Sequence, residues 1–228
     1  LVGEAWFFGL PLHVDPRVLV PRPSTETIIE QVLQHTRAEP GFGGKTGEGV
    51  CFADVCTGSG CIAVSLLKNL PEARGLATDI SPGALEVAAK NAKRHGVADR
   101  LEFLPGNLLE PLLDHPAGRG LHFLIANPPY IPDAEWDAVP PNVKDHEPHT
   151  SLRGGATGLD FVRPIVEHAV ERLRPGGLLL VEIAAATAPA VLDLAKSQPL
   201  LEAARIDKDF EGLPRVLVAR RTGEAARA

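Results

Sequence analysis

Short apolar runs alternate with stretches of helical period along most of this chain, and that alternation predicts its architecture. The beginning departs from it. Residues 6–26, "WFFGLPLHVDPRVLVPRPSTE", are apolar but broken by Gly and Pro, which predicts a short hairpin ahead of the main domain. In "ETIIEQVLQH" the residues Ile28, Ile29, Val32 and Leu33 share one helical face, and Ser24 or Thr25 stands where that helix needs a cap. "AEPGFGGKTGEG", residues 38–49, has no period and predicts a mobile Gly-rich connector.

From Val50 the runs become regular. Strands are predicted at 50–55, 73–79, 100–105, 121–127 and 178–183. Helices are predicted at 60–70, 82–96, 159–173 and 188–197, with Pro82 in a first turn, Gly96 as a stop and "RPGG" turning the third into its strand. Strands at 202–207 and 215–221 can pair as a terminal antiparallel hairpin. Alternating strands and helices imply right-handed crossovers and a mostly parallel α/β sheet covered on both faces. The chain thus divides into a hairpin and helix (1–37), a Gly-rich loop (38–49), the main domain (50–222) and a tail (223–228).

Composition narrows the function classes. The 228 residues are 44% hydrophobic and 23% charged, ordinary values for a globular protein. A net charge of −6 argues against a surface built to grip nucleic-acid phosphates. No apolar run approaches a membrane span, and no signal-peptide pattern opens the chain, so an intracellular location is expected. The chain begins at Leu1 and contains no Met, from which we expect a natural start further upstream. Cys51, Cys56 and Cys61 fall on a predicted strand, loop and helix, without the paired ligands of a zinc site, so no metal is expected.

In an open α/β sheet, ligands bind beyond the carboxyl ends of the strands, where strand order reverses. Four distinctive stretches fall at such ends. "DVCTGSGC" follows the first strand, with Asp54 and then Cys56, Thr57, Gly58, Ser59 and Gly60. Asp79, with Ile80 beside it, ends the second strand about 20 residues beyond the glycine loop, where an acid accepts hydrogen bonds from ribose hydroxyls. Asn107 and Leu108 follow the third strand and "NPPY", Asn127 to Tyr130, the fourth. A glycine loop with an acid is compatible with several adenosine cofactors. The loop lacks both the third glycine of a dinucleotide fingerprint and the Gly-Lys-Ser/Thr ending of a triphosphate cradle. S-adenosylmethionine, an adenosine ligand without a pyrophosphate, meets that description.

"NPPY" points to a reaction class. A planar –NH₂ group is a poor nucleophile because its lone pair is delocalised. It is methylated when both N–H bonds are engaged and the lone pair is aimed. The Asn127 side-chain oxygen can accept one N–H and the Pro128 carbonyl, held by Pro129, the other. Tyr130 can lie against the planar group. Catalysis then comes from proximity, alignment and acceptors for the positive charge developing on nitrogen.

Several stretches together resemble the HemK/PrmC family, the peptide chain release factor glutamine N5-methyltransferases: "GLPLHVDPRVLVPRPSTE", "ADVCTGSGCIAVSL", "ATDISPGALEVAAKNAKRHG", "LIANPPYIP", "HEP…LRGGATGLD" and "DFEGLPRVLVARR". They cover nearly the whole chain in the family's order. The resemblance implies a Rossmann-like class I S-adenosylmethionine-dependent methyltransferase fold with seven strands. It implies methylation of the glutamine side-chain amide in the Gly-Gly-Gln loop of a class 1 release factor. By position it puts the methionine part of the cofactor along Cys56 to Gly60, the ribose on Asp79, the adenine near Asn107 and Leu108, and the acceptor glutamine on Asn127 to Tyr130. Arg22 and Glu26 would help to close the pocket.

The chain departs from the family in places. Cys56 stands where Gly is usual, Asn107 where an acid is usual, and "EIAAAT" lacks the usual Gly and Gln. The family's N-terminal helical docking domain is expected to be absent from this chain. The ending "DFEGLPRVLVARR" is similar to the organellar branch, which makes the mitochondrial matrix an expected location beside the cytoplasm. "HEPHT" places His146 and His149 around Glu147, in a loop read as surface residues rather than ligands. A monomer would suffice, with no direct nucleic-acid or membrane partner. Rival readings are an adenine-N6 methyltransferase with a flipped base in the same pocket, a ribosomal-protein glutamine methyltransferase, and a non-catalytic cofactor-binding scaffold.

Overall fold

The computed structural model describes residues 3–223, so the expected tail lies, apart from Gly223, outside the described residues. The predicted hairpin is formed by β1 (Glu4–Phe7) and β2 (Leu10–His13). A 3-10 turn at Pro23–Thr25 leads into α1 (Glu26–Ala38), which buries Ile28, Ile29, Val32 and Leu33. The expected side-chain cap is not made. A cap residue needs extended backbone, whereas Thr25 is already helical (φ −69°, ψ −21°) and turns inward, 1% exposed.

The connector 38–49 is also not the loose loop its composition predicts. Phe42 is buried, 5.2 Å from the ring of Phe123, with the Arg174 guanidinium 5.1 Å from its centroid. The Thr46 carbonyl accepts the Glu72 N–H at 2.9 Å. Turn hydrogen bonds carry no periodicity, so the pattern could not reveal this packing.

The main sheet comprises β3 (Cys51–Val55), β4 (Arg74–Asp79), β5 (Leu101–Pro105), β6 (Leu121–Ala126), β7 (Leu173–Glu182), β8 (Leu201–Lys208) and β9 (Pro214–Arg221). Their order is β5-β4-β3-β6-β7-β9-β8. The first five run parallel, and β9 is antiparallel to both β7 and β8. The helices that follow α1 are α2 (Cys61–Asn69), α3 (Pro82–Arg94), α4 (Glu110–Leu113), α5 (Pro141–Lys144), α6 (Val162–Arg172) and α7 (Ala188–Lys196). "RPGG" is not a turn ahead of β7 but lies inside it, where the register with β6 shifts between Leu121 and Phe123.

Both faces of the sheet are covered, which is why its central strands read as unbroken apolar runs. Phe52, Phe123, Ile125, Leu178 and Leu180 point into one core with α1 and α2. Their neighbours Ala53, Leu124, Ala126, Leu179 and Val181 point into the other with α6 and α7.

One buried polar residue ties the periphery to this scaffold. Asn91 of α3 is 0% exposed; its Nδ2 donates to the carbonyls of His13 and Ser59 (2.9 Å each), and its Oδ1 accepts the His13 N–H at 2.7 Å. The hairpin and the glycine loop are thereby fixed to one helix. Asn91→Ala leaves three backbone groups unpartnered and should cost roughly 3 kcal/mol in urea unfolding. A loss below about 1 kcal/mol would mean that water replaces those bonds without penalty.

Candidate active site

The carboxyl ends of β3 and β6 lie side by side, because the register pairs Val55 with Ala126 and the next residues are Cys56 and Asn127. Strand order reverses here, and a cavity of about 530 Å³ opens above the ends of β3, β4, β5 and β6. Most of the sequence-predicted residues meet in it. Cys56, Thr57, Gly58 and Ser59 form one wall, Asp79, Ile80, Asn107 and Leu108 another, and Asn127 and Pro129 the end. Asp54, Gly60, Pro128 and Tyr130 do not line this cavity.

Asp54 works behind the wall. It is wholly buried, and its Oδ2 accepts the Thr57 hydroxyl at 2.6 Å and the Ala63 N–H at 3.2 Å, tying the loop to the start of α2. Burial raises its pKa to about 7 against the opposing effect of these bonds. Gly60 acts by shape: at φ +78° it precedes α2, and a Cβ there would stand 3.0 Å from the Cβ of Ala88 in α3. Both were expected to touch the ligand; neither lines the cavity, and both instead shape the loop that does.

Cys56 holds a left-handed backbone, φ 59°, which explains why a glycine would suit this position. Leu108, across the cavity, is left-handed as well, φ 47°, and its carbonyl accepts the Thr78 hydroxyl at 2.9 Å. Burial, with the nearby Asp79 and Asp54 carboxylates, pushes the Cys56 thiol well above the usual range, which favours its neutral form.

The Asp79 carboxylate is aimed before any ligand arrives. Oδ2 accepts the Gly58 N–H and Oδ1 the Ser81 N–H, each at 2.9 Å, and each oxygen keeps a further lone pair. Burial raises its pKa, and those backbone donors oppose the rise. Beside it Ile80 is 68% exposed, an apolar surface at the cavity edge. Asn107 gives its Nδ2 to Glu110 at 3.3 Å, which leaves its carbonyl oxygen as the free end. A directed carboxylate, an uncovered apolar side chain and an amide acceptor suit an adenosine ligand.

Asn127 donates through Nδ2 to the Thr25 hydroxyl at 3.4 Å; its Oδ1 has no partner among the described residues. Pro128 and Pro129 are buried. Tyr130 donates its hydroxyl to Glu182 at 3.1 Å and lines a second cavity of about 220 Å³. The two cavities share Leu19, Arg22, Asn127 and Ser151, so Asn127 stands between them. Gly154 packs on the motif so closely that a Cβ would lie 2.7 Å from the Tyr130 Cα.

The rim comes from segments distant in sequence. Arg22 pairs with Glu147 at 2.6 Å, and Glu147 also accepts the Val20 N–H at 3.3 Å. Glu147 is therefore a buried strut rather than the surface residue expected of "HEPHT". Glu26 lies elsewhere, accepting the Phe8 N–H of the hairpin turn at 2.7 Å, and takes no part in closing the cavity.

A family described as "Methyltransferase small domain" matches residues 45–139. The release factor glutamine methyltransferase of Moorella thermoacetica is 42% identical over 224 residues, covering 98% of this chain and 75% of that protein. The chain belongs to the release factor glutamine methyltransferase family. The member from Geobacter sulfurreducens is 41% identical over 194 residues, and the match spans 85% of this chain and 63% of that protein. These relatives are bacterial and lend no support to an organellar branch. Among solved structures, the N-terminal domain of human METTL16 in complex with SAH superposes with a TM-score of 0.64 at 20% identity, covering 95% of this chain and 77% of that one. The shared architecture is the class I methyltransferase fold, as the family resemblance implies, and its covered, mostly parallel sheet is the one the alternation of runs predicts. Among the described residues no helix is long and apolar enough to cross a membrane.

Sequence reasoning about this family member missed Thr25 and Glu182. Glu182 had a signal: like Asn127, it is a polar residue ending an apolar central strand. Thr25 had none, since only the fold brings it to Asn127.

The buried Asp54 makes stability depend on pH. Its folded pKa, about 7, lies above the ordinary value of 3.8, so the folded state holds this proton longer. Stability from this group is full in acid and falls as pH rises from about 4 to about 7. Asp54→Asn keeps an acceptor for Thr57 and Ala63 without the buried charge. Relative to the parent, it should gain stability between pH 5 and pH 8 in urea unfolding. A difference independent of pH would show that Asp54 does not titrate in this way.

Proposed function

We propose that this chain transfers a methyl group from S-adenosylmethionine to the side-chain amide nitrogen of the glutamine in the Gly-Gly-Gln loop of a class 1 release factor. The observation that carries this reading is Asn127. With its Nδ2 committed to Thr25, its oxygen is the free end at the junction of the two cavities. An oxygen there accepts from an –NH₂ group and not from a carbonyl, which selects an amide or amino nitrogen. The acidic balance and the relatives' names favour a protein amide over an adenine.

The residues present suit the cofactor. Cys56 to Ser59 would hold its methionine part, Asp79 its ribose hydroxyls, and Ile80, Asn107 and Leu108 its adenine. When bound, S-adenosylmethionine supplies a sulfonium-activated methyl carbon. The chain's own part is to orient the acceptor. Asn127 Oδ1 takes one amide N–H and the Pro128 carbonyl, which accepts no hydrogen bond among the described residues, takes the other. Tyr130 limits rotation of the amide plane. Both acceptors favour the positive charge that develops on nitrogen. The nitrogen that gains the methyl loses one proton, which passes to water, so no strong general base is required. A monomer suffices for every one of these roles.

Two substitutions separate the roles. Asn127→Ala should lower turnover about 100-fold while cofactor affinity in calorimetry stays within about twofold. Turnover equal to the parent's would remove Asn127 from the mechanism. Asp79→Ala should weaken cofactor binding about tenfold or more, and an unchanged affinity would contradict the ribose assignment.

A further inference from the structure

Four parts of the chain meet behind the "NPPY" motif. Glu182, the last residue of β7, is 0% exposed; its Oε1 accepts the Tyr130 hydroxyl at 3.1 Å, and its Oε2 has no hydrogen-bond partner among the described residues. Thr25 is 1% exposed and accepts the Asn127 Nδ2 at 3.4 Å, which leaves its own hydroxyl proton to donate. Burial raises the pKa of Glu182; the Thr25 hydroxyl, then the Arg215 charge, then the Tyr130 hydroxyl favour its ionised form. Arg215 is itself held from behind, by Asp209 Oδ2 at 2.9 Å. Asp209 in turn fixes the β8–β9 turn by accepting the N–H groups of Glu211 and Leu213 at 3.0 Å each.

A buried carboxylate with an unpaired oxygen is costly, and an apolar residue would complete the β7 run more cheaply. What this carboxylate holds accounts for its presence. We propose that Glu182, together with Thr25, is the positioning pair of the acceptor site: Glu182 fixes Tyr130 at one end of the motif, and Thr25 fixes Asn127 at the other. Thr25 also aims Asn127, because an amide whose nitrogen is engaged presents its oxygen to the acceptor. The Arg215 charge, held in position by Asp209, opposes the effect of burial on this carboxylate, while the Asp209 charge adds to that effect. The "PRPSTE" and "DFEGLPR" segments, far apart in sequence, thereby act on the same four residues. Neither Glu182 nor Thr25 needs to touch the acceptor.

This assignment rests on the reading of Asn127 to Tyr130 as the acceptor site, and its test has a readout independent of methyl transfer. Tyr130 is the only tyrosine in the chain. Fluorotyrosine incorporated during expression therefore gives one ¹⁹F signal that reports this ring alone. In Glu182→Leu the signal should move toward that of free fluorotyrosine, and kcat should fall about tenfold with cofactor affinity unchanged. Glu182→Gln keeps an acceptor for the hydroxyl and should restore both. Adding Tyr130→Phe to Glu182→Leu should cost little more, because the two changes remove one contact. Thr25→Val should lower kcat and leave the Tyr130 signal in place.

An unmoved signal in Glu182→Leu, or equal kcat losses in the Leu and Gln variants, would overturn the positioning role. Were the parent to transfer no methyl to any release factor, the proposed function would fall. The ¹⁹F comparison would still decide whether Glu182 holds Tyr130.

Discussion

The parallel pairing of β3 with β6 is the constraint on which the site depends. The chain builds β3, β4 and β5 outward in one direction and then returns to lay β6 on the free side of β3. No connecting helix can cross the gap opened by that reversal, so the carboxyl ends of β3 and β6 border an uncovered crevice. The register with Val55 opposite Ala126 then brings the glycine loop and the Asn-Pro-Pro-Tyr motif out of adjacent strands. A slip of one residue would turn Asn127 into a core and bring an apolar neighbour to the crevice. The alternation of Phe52, Phe123 and Ile125 on one face with Ala53, Leu124 and Ala126 on the other holds the register against such a slip.

Around this crevice the backbone is pre-shaped rather than relaxed. Two non-glycine residues, Cys56 and Leu108, hold left-handed conformations on opposite walls, each costing about 1–2 kcal/mol. Asp79 is held by two backbone donors and Asn127 by Thr25. Buried polar side chains hold these loops from behind: Asp54 under the glycine loop, Asn91 between that loop and the hairpin, and Glu147 between Arg22 and Val20. The cavity-lining groups are thus oriented by partners within the scaffold, which limits the reorganisation that binding would require.

The architecture was legible because it follows from periodicity: unbroken apolar runs for strands covered on both faces, and 3.6-residue stripes for the helices between them. The lining of the site was legible for a related reason, since the order of runs places the loops at strand ends and Cys56, Asp79, Asn107 and Asn127 stand there. What pattern could not reveal is every contact made by folding. Asp54 and Gly60 sit in the right loop, but whether a loop residue faces the ligand or the scaffold depends on its backbone angles. The Gly-rich connector packs Phe42 into the core without any period to announce it. Glu147 reads as one acid in a polar loop until Arg22, 125 residues earlier, closes on it. Thr25 reads as a helix cap until the 3-10 turn rotates it inward.

The central claim is that the two cavities meeting at Asn127 bring a cofactor's methyl group to a glutamine amide. Mass spectrometry of a purified class 1 release factor, after incubation with this chain and S-adenosylmethionine, tests it most directly. The account predicts one added methyl group, located on the glutamine of the Gly-Gly-Gln loop and absent when that glutamine is replaced by alanine. A release factor left unmodified while an adenine-containing nucleic acid or another protein gains the methyl would contradict it.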